Sequence, residues 1–295
     1  MTTSGAGTVP IEVVPTGFAL GAEIRGIDAR KPVPAETAEA LREAWKQHLV
    51  LLFRGQTGLT DEELIDFTKV FGALQAAPNS DVTAGFGSFA DVPPEVTIIS
   101  NIEVDGRPIG ALGAGEADWH TDMSFIEEPP AGSCLYAIEV PPSGGNTSFT
   151  NMHRALDTLD GDTTAAVKDT RCVHDLSLTS TGSRRQGVPE VADVRETPGA
   201  RHPVLRTHPD TGRKALFLGR RRNAWLVGFE VGESERLLDR LWSHAADEAH
   251  VWEHRWRAGD IVLWDNRAVM HRRDPFDPAT RRLMHRTQVK GGRPF

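Results

Sequence analysis

Short apolar runs separated by turn residues recur along most of the chain, and this pattern restricts the fold more than any other feature. Strand-length runs such as Leu49–Phe53, Val96–Ile102 and Ser133–Val140 lie close to Gly, Pro or Asp. Helical spacing of apolar residues is clear at Pro34–His48 and Glu233–Ala246. The sequence therefore predicts a mainly β fold with flanking helices, of the sandwich or jelly-roll kind.

The chain of 295 residues shows no change of composition that would separate two blocks. Residues 1–10 are small and polar, so we expect a flexible N-terminal tail followed by a single domain over residues 11–295. Two cysteines, Cys134 and Cys172, are too few for a disulfide framework or a four-thiolate zinc site.

An excess of acidic residues limits the classes of partner. The chain has 33 Lys and Arg against 41 Asp and Glu, a net charge of -8, so it gains little from counterion release on nucleic acid. No apolar run reaches the ~18 residues of a membrane span, and the N-terminus lacks an apolar signal core. We expect a cytoplasmic homo-oligomer that binds a small-molecule substrate, with neither nucleic acid nor membrane as a partner.

A histidine and an aspartate stand two residues apart at His120 and Asp122. In a strand, residues i and i+2 project from the same face, so the two side chains would converge on one point. His271, which follows the strand-like run Gly259–Asn266, is the best candidate for a third ligand. Two imidazoles and one carboxylate form the facial triad of non-haem Fe(II) oxygenases, although zinc, manganese or nickel could bind the same ligands. The spacing of this pair is also expected without a metal site, with His120 as a buried strand histidine and Asp122 as a turn or surface acid.

Two arginines follow His271 at a fixed spacing, Arg282 eleven residues later and Arg286 fifteen residues later. On a strand these two side chains would share a face, roughly 13 Å apart along the backbone. A guanidinium suits a carboxylate, so the two arginines could bind two anionic groups beside a metal. The alternative is a pair of solvated surface arginines, as we expect for Arg184–Arg185 and Arg220–Arg222.

Longer stretches around these residues carry a resemblance to a known family. They are DWHTDMSFIEEPPAG (Asp118–Gly132), GGNTSFTN (Gly144–Asn151), LWDNRAVMHRR (Leu263–Arg273) and RRLMHRTQVKGGRPF (Arg281–Phe295). With them the sequence resembles the taurine dioxygenase / 2,4-dichlorophenoxyacetate dioxygenase (TauD/TfdA) family of Fe(II)- and 2-oxoglutarate-dependent oxygenases. Weaker likeness covers nearly the whole chain. The resemblance implies a double-stranded β-helix, which is the cupin-like jelly roll.

The resemblance also implies a role for each matching position. It implies that Fe(II) is held by His120, Asp122 and His271, and that 2-oxoglutarate is held by Arg282 and Thr147. The implied reaction consumes O2, hydroxylates an unactivated C–H bond and releases succinate and CO2. Halogenating members of the wider superfamily have a small residue in place of the aspartate. Asp122 therefore favours hydroxylation, alone or followed by bond cleavage.

The substrate prediction depends on Arg286, which matches an arginine that faces the anionic end of the substrate. A buried cation needs an anionic partner. We expect the substrate to be this partner, with Glu116 as the alternative. Arg286 and Glu116 are both candidate substrate-site residues. Taurine enzymes have a histidine within the stretch where Gln75–Pro78 stands and an asparagine at the position of Glu116. We therefore expect an aryloxyalkanoate, another small carboxylate, an alkyl sulfate or a biosynthetic intermediate. The alternatives are a taurine- or alkyl sulfate-type dioxygenase and a non-catalytic jelly-roll protein that binds a metal or ligand.

Two long polar segments, Ala76–Pro94 and Ser177–Arg201, have no clear period and contain many Gly, Pro and Ser residues. Connections longer than about 12–15 residues are usually binding loops, lids or disordered segments. We expect at least one of the two to border the mouth of the active site.

Overall fold

The computed structural model describes residues 10–77 and 92–295. Its two largest sheets have eight and four strands and are called the large sheet and the small sheet. The strands in these ranges are β1 (Glu12–Pro15), β2 (Ala22–Arg25), β3 (Val50–Phe53), β4 (Thr97–Ser100), β5 (Glu103–Val104), β6 (Arg107–Pro108), β7 (Ala111–Leu112), β8 (Ala117–His120), β9 (Gly132–Glu139), β10 (Thr147–Asn151), β11 (Arg171–Val173), β12 (Arg201–Pro203), β13 (Leu205–Thr207), β14 (Lys214–Leu216), β15 (Trp225–Leu226), β16 (Val251–His254), β17 (Ile261–Asp265), β18 (Val269–Arg273) and β19 (Leu283–Val289). The helices are α1 (Ala35–His48), α2 (Asp61–Lys69), α3 (Met152–Asp157), α4 (Gly161–Val167) and α5 (Val231–Ala245), with 3-10 turns at Val194–Glu196 and Glu248–His250.

The strand order is that of a jelly roll. The large sheet runs β1-β2-β3-β17-β9-β19-β4-β7, and the small sheet runs β16-β10-β18-β8. Neighbouring strands are antiparallel throughout the small sheet, and in the large sheet only the pairs β2–β3 and β4–β7 are parallel. This double-stranded β-helix with flanking helices is the predicted fold.

Alternating side chains on β3 show how the large sheet separates two cores. Val50 and Leu52 are buried with residues of the small sheet, such as Phe149. Leu51 and Phe53 are buried against helices α1 and α2, because successive side chains of a strand project to opposite faces. The helices therefore cover one face of the large sheet, and its other face is left to line the space between the sheets.

The first helix forms where the sequence predicts it. Helix α1 spans Ala35–His48 within the predicted Pro34–His48, and α2 begins with a capping box in which Thr60 and Glu63 bond to each other's backbone N–H. The strand expected at Phe18–Ile24 is shorter and spans Ala22–Arg25, because Gly21 has φ 95° and Phe18 is exposed.

The described residues include no helix that is long and apolar enough to cross a membrane. Nearly all of the expected N-terminal tail, residues 1–9, lies outside the described residues.

Candidate active site

Three potential metal ligands meet between the sheets. His120 ends β8 and pairs directly with His271 on the neighbouring strand β18. The Oδ1 atom of Asp122 lies 3.7 Å from the Nε2 atom of His120 and 3.9 Å from that of His271. One ligand atom from each residue lies within 4.8 Å of the others, and all three residues are buried. The structure thus brings together the three residues that the sequence predicts as ligands.

The reason for this convergence differs from the predicted one. Strand β8 ends at His120, so Asp122 is not on a strand, and the strand geometry expected for this pair is wrong. The chain instead turns directly after β8, with Met123 in the left-handed region at φ 47°. This turn, and not the two-residue period of a strand, carries the carboxylate of Asp122 back towards both imidazoles.

Hydrogen bonds around the cluster prepare it for a cation. The Nδ1–H of His120 donates to the carbonyl oxygen of Asp118 at 2.6 Å, which leaves the Nε2 lone pair facing Asp122. The hydroxyl of Ser133 donates to Oδ2 of Asp122 at 2.7 Å. Burial lowers the pKa of His271 to about 3, so its imidazole is neutral and can act as a ligand. Two neutral imidazoles and one carboxylate fit the donor set that Fe(II) oxygenases use.

The carboxylate of the cluster is ionised despite its burial. Burial by itself raises the pKa of Asp122, but the positive charge of the Arg286 guanidinium lowers that pKa well below its usual range. The Nη1 atom of Arg286 lies 3.1 Å from Oδ1 of Asp122. Arg286 therefore has a protein carboxylate as its partner, so its charge does not by itself require an anionic substrate, contrary to the expectation from the sequence.

Glu116 is not the partner of Arg286. Its Oε1 atom lies 3.6 Å from Nη1 of Arg272, and its side chain is half exposed. It lines an outer cleft rather than the cavity that contains the cluster. Ala117, the next residue, lines the cavity, but the side chain of Glu116 pairs with Arg272, and its expected contact with Arg286 does not form.

A second predicted arginine is buried without a counter-charge. Arg282 is only 2% exposed, its Nε atom has no hydrogen-bond partner, and none of the described carboxylates pairs with its guanidinium. Burial and the nearby Arg273 lower the pKa of Arg282 well below its usual value. Thr147 lines the same cavity and accepts a hydrogen bond from Nε1 of Trp256 at 2.9 Å. Its own hydroxyl proton remains available to an acceptor in the cavity.

The cavity that contains the cluster is rich in cations. Five arginines line it within the described part of the chain, against the single carboxylate of Asp122: Arg185, Arg220, Arg273, Arg282 and Arg286. The sequence analysis places Arg185 and Arg220 on the solvated surface, and this expectation is wrong. Both guanidinium groups pack on the ring of Phe125, at 4.6 Å and 5.5 Å from its centroid. Nothing in the local sequence distinguishes them from the exposed arginines beside them.

The prediction that a long loop borders the site is confirmed for Ser177–Arg201. Ser180 and Arg185 of this loop line the cavity. Most of the other loop, Ala76–Pro94, lies outside the described residues, because residues 78–91 are not among them.

A jelly roll with a buried His–Asp–His cluster and an uncompensated arginine beside it defines the class of mononuclear non-haem iron oxygenases that use an acidic cosubstrate. Comparison with known proteins identifies the family. The profile of the "Taurine catabolism dioxygenase TauD, TfdA family" matches residues 12–288, and the chain belongs to this family.

Individual relatives agree with this assignment. The chain is 33% identical over 287 residues to the (S)-phenoxypropionate/alpha-ketoglutarate-dioxygenase of Delftia acidovorans, with 95% of each chain covered. It is 33% identical over 281 residues to the alpha-ketoglutarate-dependent 2,4-dichlorophenoxyacetate dioxygenase of Cupriavidus pinatubonensis, with 91% of this chain and 93% of the relative covered. A crystal structure of AAD-2 in complex with Mn(II) and N-oxalylglycine superimposes with a TM-score of 0.77 at 31% identity, covering 97% of this chain and 99% of AAD-2. The protein is therefore an Fe(II)- and 2-oxoglutarate-dependent dioxygenase, an oxidoreductase that consumes O2.

Proposed function

We propose that the enzyme hydroxylates an unactivated C–H bond of a small organic anion, and the observation that carries this proposal is the charge of the cavity. Five arginines and one carboxylate line it among the described residues. Bringing a cation out of water costs several kcal/mol unless an anion compensates it. The dianion 2-oxoglutarate balances the charge of Fe(II) and leaves the excess of arginines unchanged. An anionic substrate would reduce this excess, whereas a cationic substrate would increase it.

We assign Fe(II) to His120, Asp122 and His271, and the distal carboxylate of 2-oxoglutarate to Arg282 and Thr147. The convergence of three buried ligand atoms supports the first assignment. The second is supported by the uncompensated guanidinium of Arg282, whose fork geometry suits a carboxylate.

In this proposal each side chain has a defined task in the reaction. Bound Fe(II) supplies the activation of dioxygen and couples the oxidative decarboxylation of 2-oxoglutarate to the oxidation of the substrate. Arg282 and Thr147 fix the orientation of the cosubstrate by binding its far end. Arg286 and Ser133 each contact one oxygen of Asp122, so that the carboxylate keeps one geometry. The walls contributed by Leu135 and Trp264 exclude water from the reacting C–H bond.

The residues present favour an aryloxyalkanoate or another small carboxylate over taurine. Gln75 stands in the stretch where taurine enzymes have a histidine, and its amide lies 3.6 Å from the sulfur of Met123 on the cavity wall. A neutral amide there supplies no charge for a sulfonate. The relatives from Delftia and Cupriavidus are named for aryloxy acids, which agrees with this choice. An alkyl sulfate or an acidic biosynthetic intermediate is the second candidate, because the excess of arginines suits any small oxyanion.

The expected homo-oligomer and the expected cytoplasmic location stay predictions.

Oxygen uptake and succinate formation test the proposal in the presence of Fe(II) and 2-oxoglutarate. The panel pairs phenoxypropionate, 2,4-dichlorophenoxyacetate and hexyl sulfate with their neutral amide or alcohol counterparts. We expect at least one anion to stimulate uptake well above the rate without substrate, and its neutral counterpart to do so far less. Equal stimulation by the neutral compounds, or stimulation by none of the anions, would contradict an acidic substrate.

A further inference from the structure

The five cavity arginines differ in what they already bind. Arg286 contacts Asp122, and Nη2 of Arg273 donates to the backbone carbonyls of Leu112 and Gly115. Arg282 is assigned above to 2-oxoglutarate. Arg185 packs on the ring of Phe125. The fifth, Arg220, has its Nε and Nη1 atoms buried and without a hydrogen-bond partner.

Two acids, Asp122 and Asp175, act on Arg220 through their charge, and both are bonded to other groups. Asp175 is fully buried and acts on Arg220 only through its charge. One of its carboxylate oxygens accepts from the backbone N–H of Ser177 at 2.7 Å and the other from the amide of Asn223 at 3.4 Å. The donors of Arg220 are thus left for a group in the cavity.

The fold holds Arg220 close to the metal ligands by a close backbone approach. The hydroxyl of Thr121 donates to the carbonyl oxygen of Leu218 at 2.9 Å, which ties the segment after β14 to the turn that carries Asp122. Gly219 allows this contact, because a Cβ there would lie 2.5 Å from Nδ1 of His174 and 2.8 Å from Oγ of Ser124. Arg220 is therefore fixed beside the reacting centre and is not a mobile surface side chain.

Arg220 also lies between two spaces. Together with Ser180 it lines both the inner cavity and an outer cleft. The walls of the outer cleft come from residues 115–118, 178–182 and 220–222. The guanidinium of Arg220 therefore stands at the boundary between the cleft and the cavity that contains the metal ligands. Beyond it, the inner cavity offers apolar walls such as Met123, Phe125 and Leu135.

We propose that Arg220 is the specificity-determining residue that binds the anionic group of the substrate, on the access side of the cavity. This inference rests on the proposed function and adds the orientation of the substrate. The oxyanion lies at Arg220, and the apolar body extends along Phe125 towards the metal ligands. Arg286 pairs with Asp122 and is not the primary anchor of the substrate's anionic group. Arg185, on the same ring, lies close enough to support the same charge electrostatically.

Binding and turnover of 2,4-dichlorophenoxyacetate, phenoxypropionate and hexyl sulfate test this proposal. The variants are R220Q, R220K, R286Q and, as a matched control that removes an exposed positive charge from the neighbouring loop, R184Q. Calorimetry on the Mn(II) and N-oxalylglycine complex reports substrate affinity without turnover. Consumption of 2-oxoglutarate without the organic substrate separately reports the activity of the catalytic centre.

We expect R220Q to weaken binding of the anionic substrate about 30-fold or more, the usual result of truncating a desolvated charge partner. R220K should restore part of this loss, and R184Q should bind like wild type. Affinity for 2-oxoglutarate and substrate-free consumption should stay unchanged in the control R184Q. Equal substrate affinity in R220Q and wild type, or a selective loss in R286Q alone, would overturn the anchor role and leave the proposed function intact. If wild type neither binds nor oxidises any of the three anions, both proposals fail.

Discussion

Two groups of buried arginines differ in where their counter-charge comes from. Near one end of β17, Arg267 donates from Nε and Nη2 to the two oxygens of Asp265 at 2.8 Å and 2.7 Å, and from Nη1 to Asp210 at 2.6 Å. Burial lowers the pKa of Arg267, but Asp265 and Asp210 outweigh this effect and raise it. In the cavity, burial lowers the pKa of Arg220 to about 10, because no carboxylate is bonded to it.

The difference separates structural cations from ligand-binding cations. The sequence supplies the partner of Arg267 two residues away, so that pair is complete when the chain has folded. In the cavity, Arg220 and Arg282 are not bonded to a described carboxylate, and an anionic ligand would supply their counter-charge. Buried charge therefore contributes to stability in the first region and to recognition in the second.

The largest effect is expected from D265N. The variant leaves Arg267 buried beside a neutral amide and replaces one of the two oxygens that Arg267 and His208 share as acceptors by an NH2 donor. Breaking a buried pair in this way costs about 3–5 kcal/mol. Urea unfolding should show a loss of this size in the free energy of unfolding. The exposed D66N, which breaks only a surface pair with Lys69, should stay within about 0.5 kcal/mol of wild type. A loss no greater than that of D66N would remove the distinction between the two groups.

The next effect is expected from R282Q and concerns the cosubstrate. Loss of a desolvated partner typically costs about 2–5 kcal/mol, so the 2-oxoglutarate requirement should rise about 30-fold or more. The free energy of unfolding should not fall, because no protein carboxylate loses its partner. R281Q is the matched control, since the neighbouring Arg281 is exposed and pairs with Glu139. If R282Q instead loses stability as D265N does, Arg282 belongs to the structural group.

Local patterns in the sequence predict helix α1, the capping box of α2, the jelly roll and the three metal-ligand positions. They do not predict why Asp122 faces His120, because a turn after β8 depends on packing rather than on period. The sequence analysis places no strand at Val269–Arg273, so β18, which carries His271, is missed. Arg220 is missed because its place in the cavity depends on Phe125 and on a loop that is distant in sequence.

The central claim is that one buried cluster holds Fe(II) for 2-oxoglutarate-dependent oxidation. The direct test measures Fe(II) binding and Fe(II)-dependent conversion of 2-oxoglutarate to succinate in wild type and in D122A. We expect wild type to bind one Fe(II) and to form succinate only with Fe(II) and O2 present, and D122A to lose both properties while it stays folded. Full Fe(II)-dependent succinate formation by D122A would contradict the account.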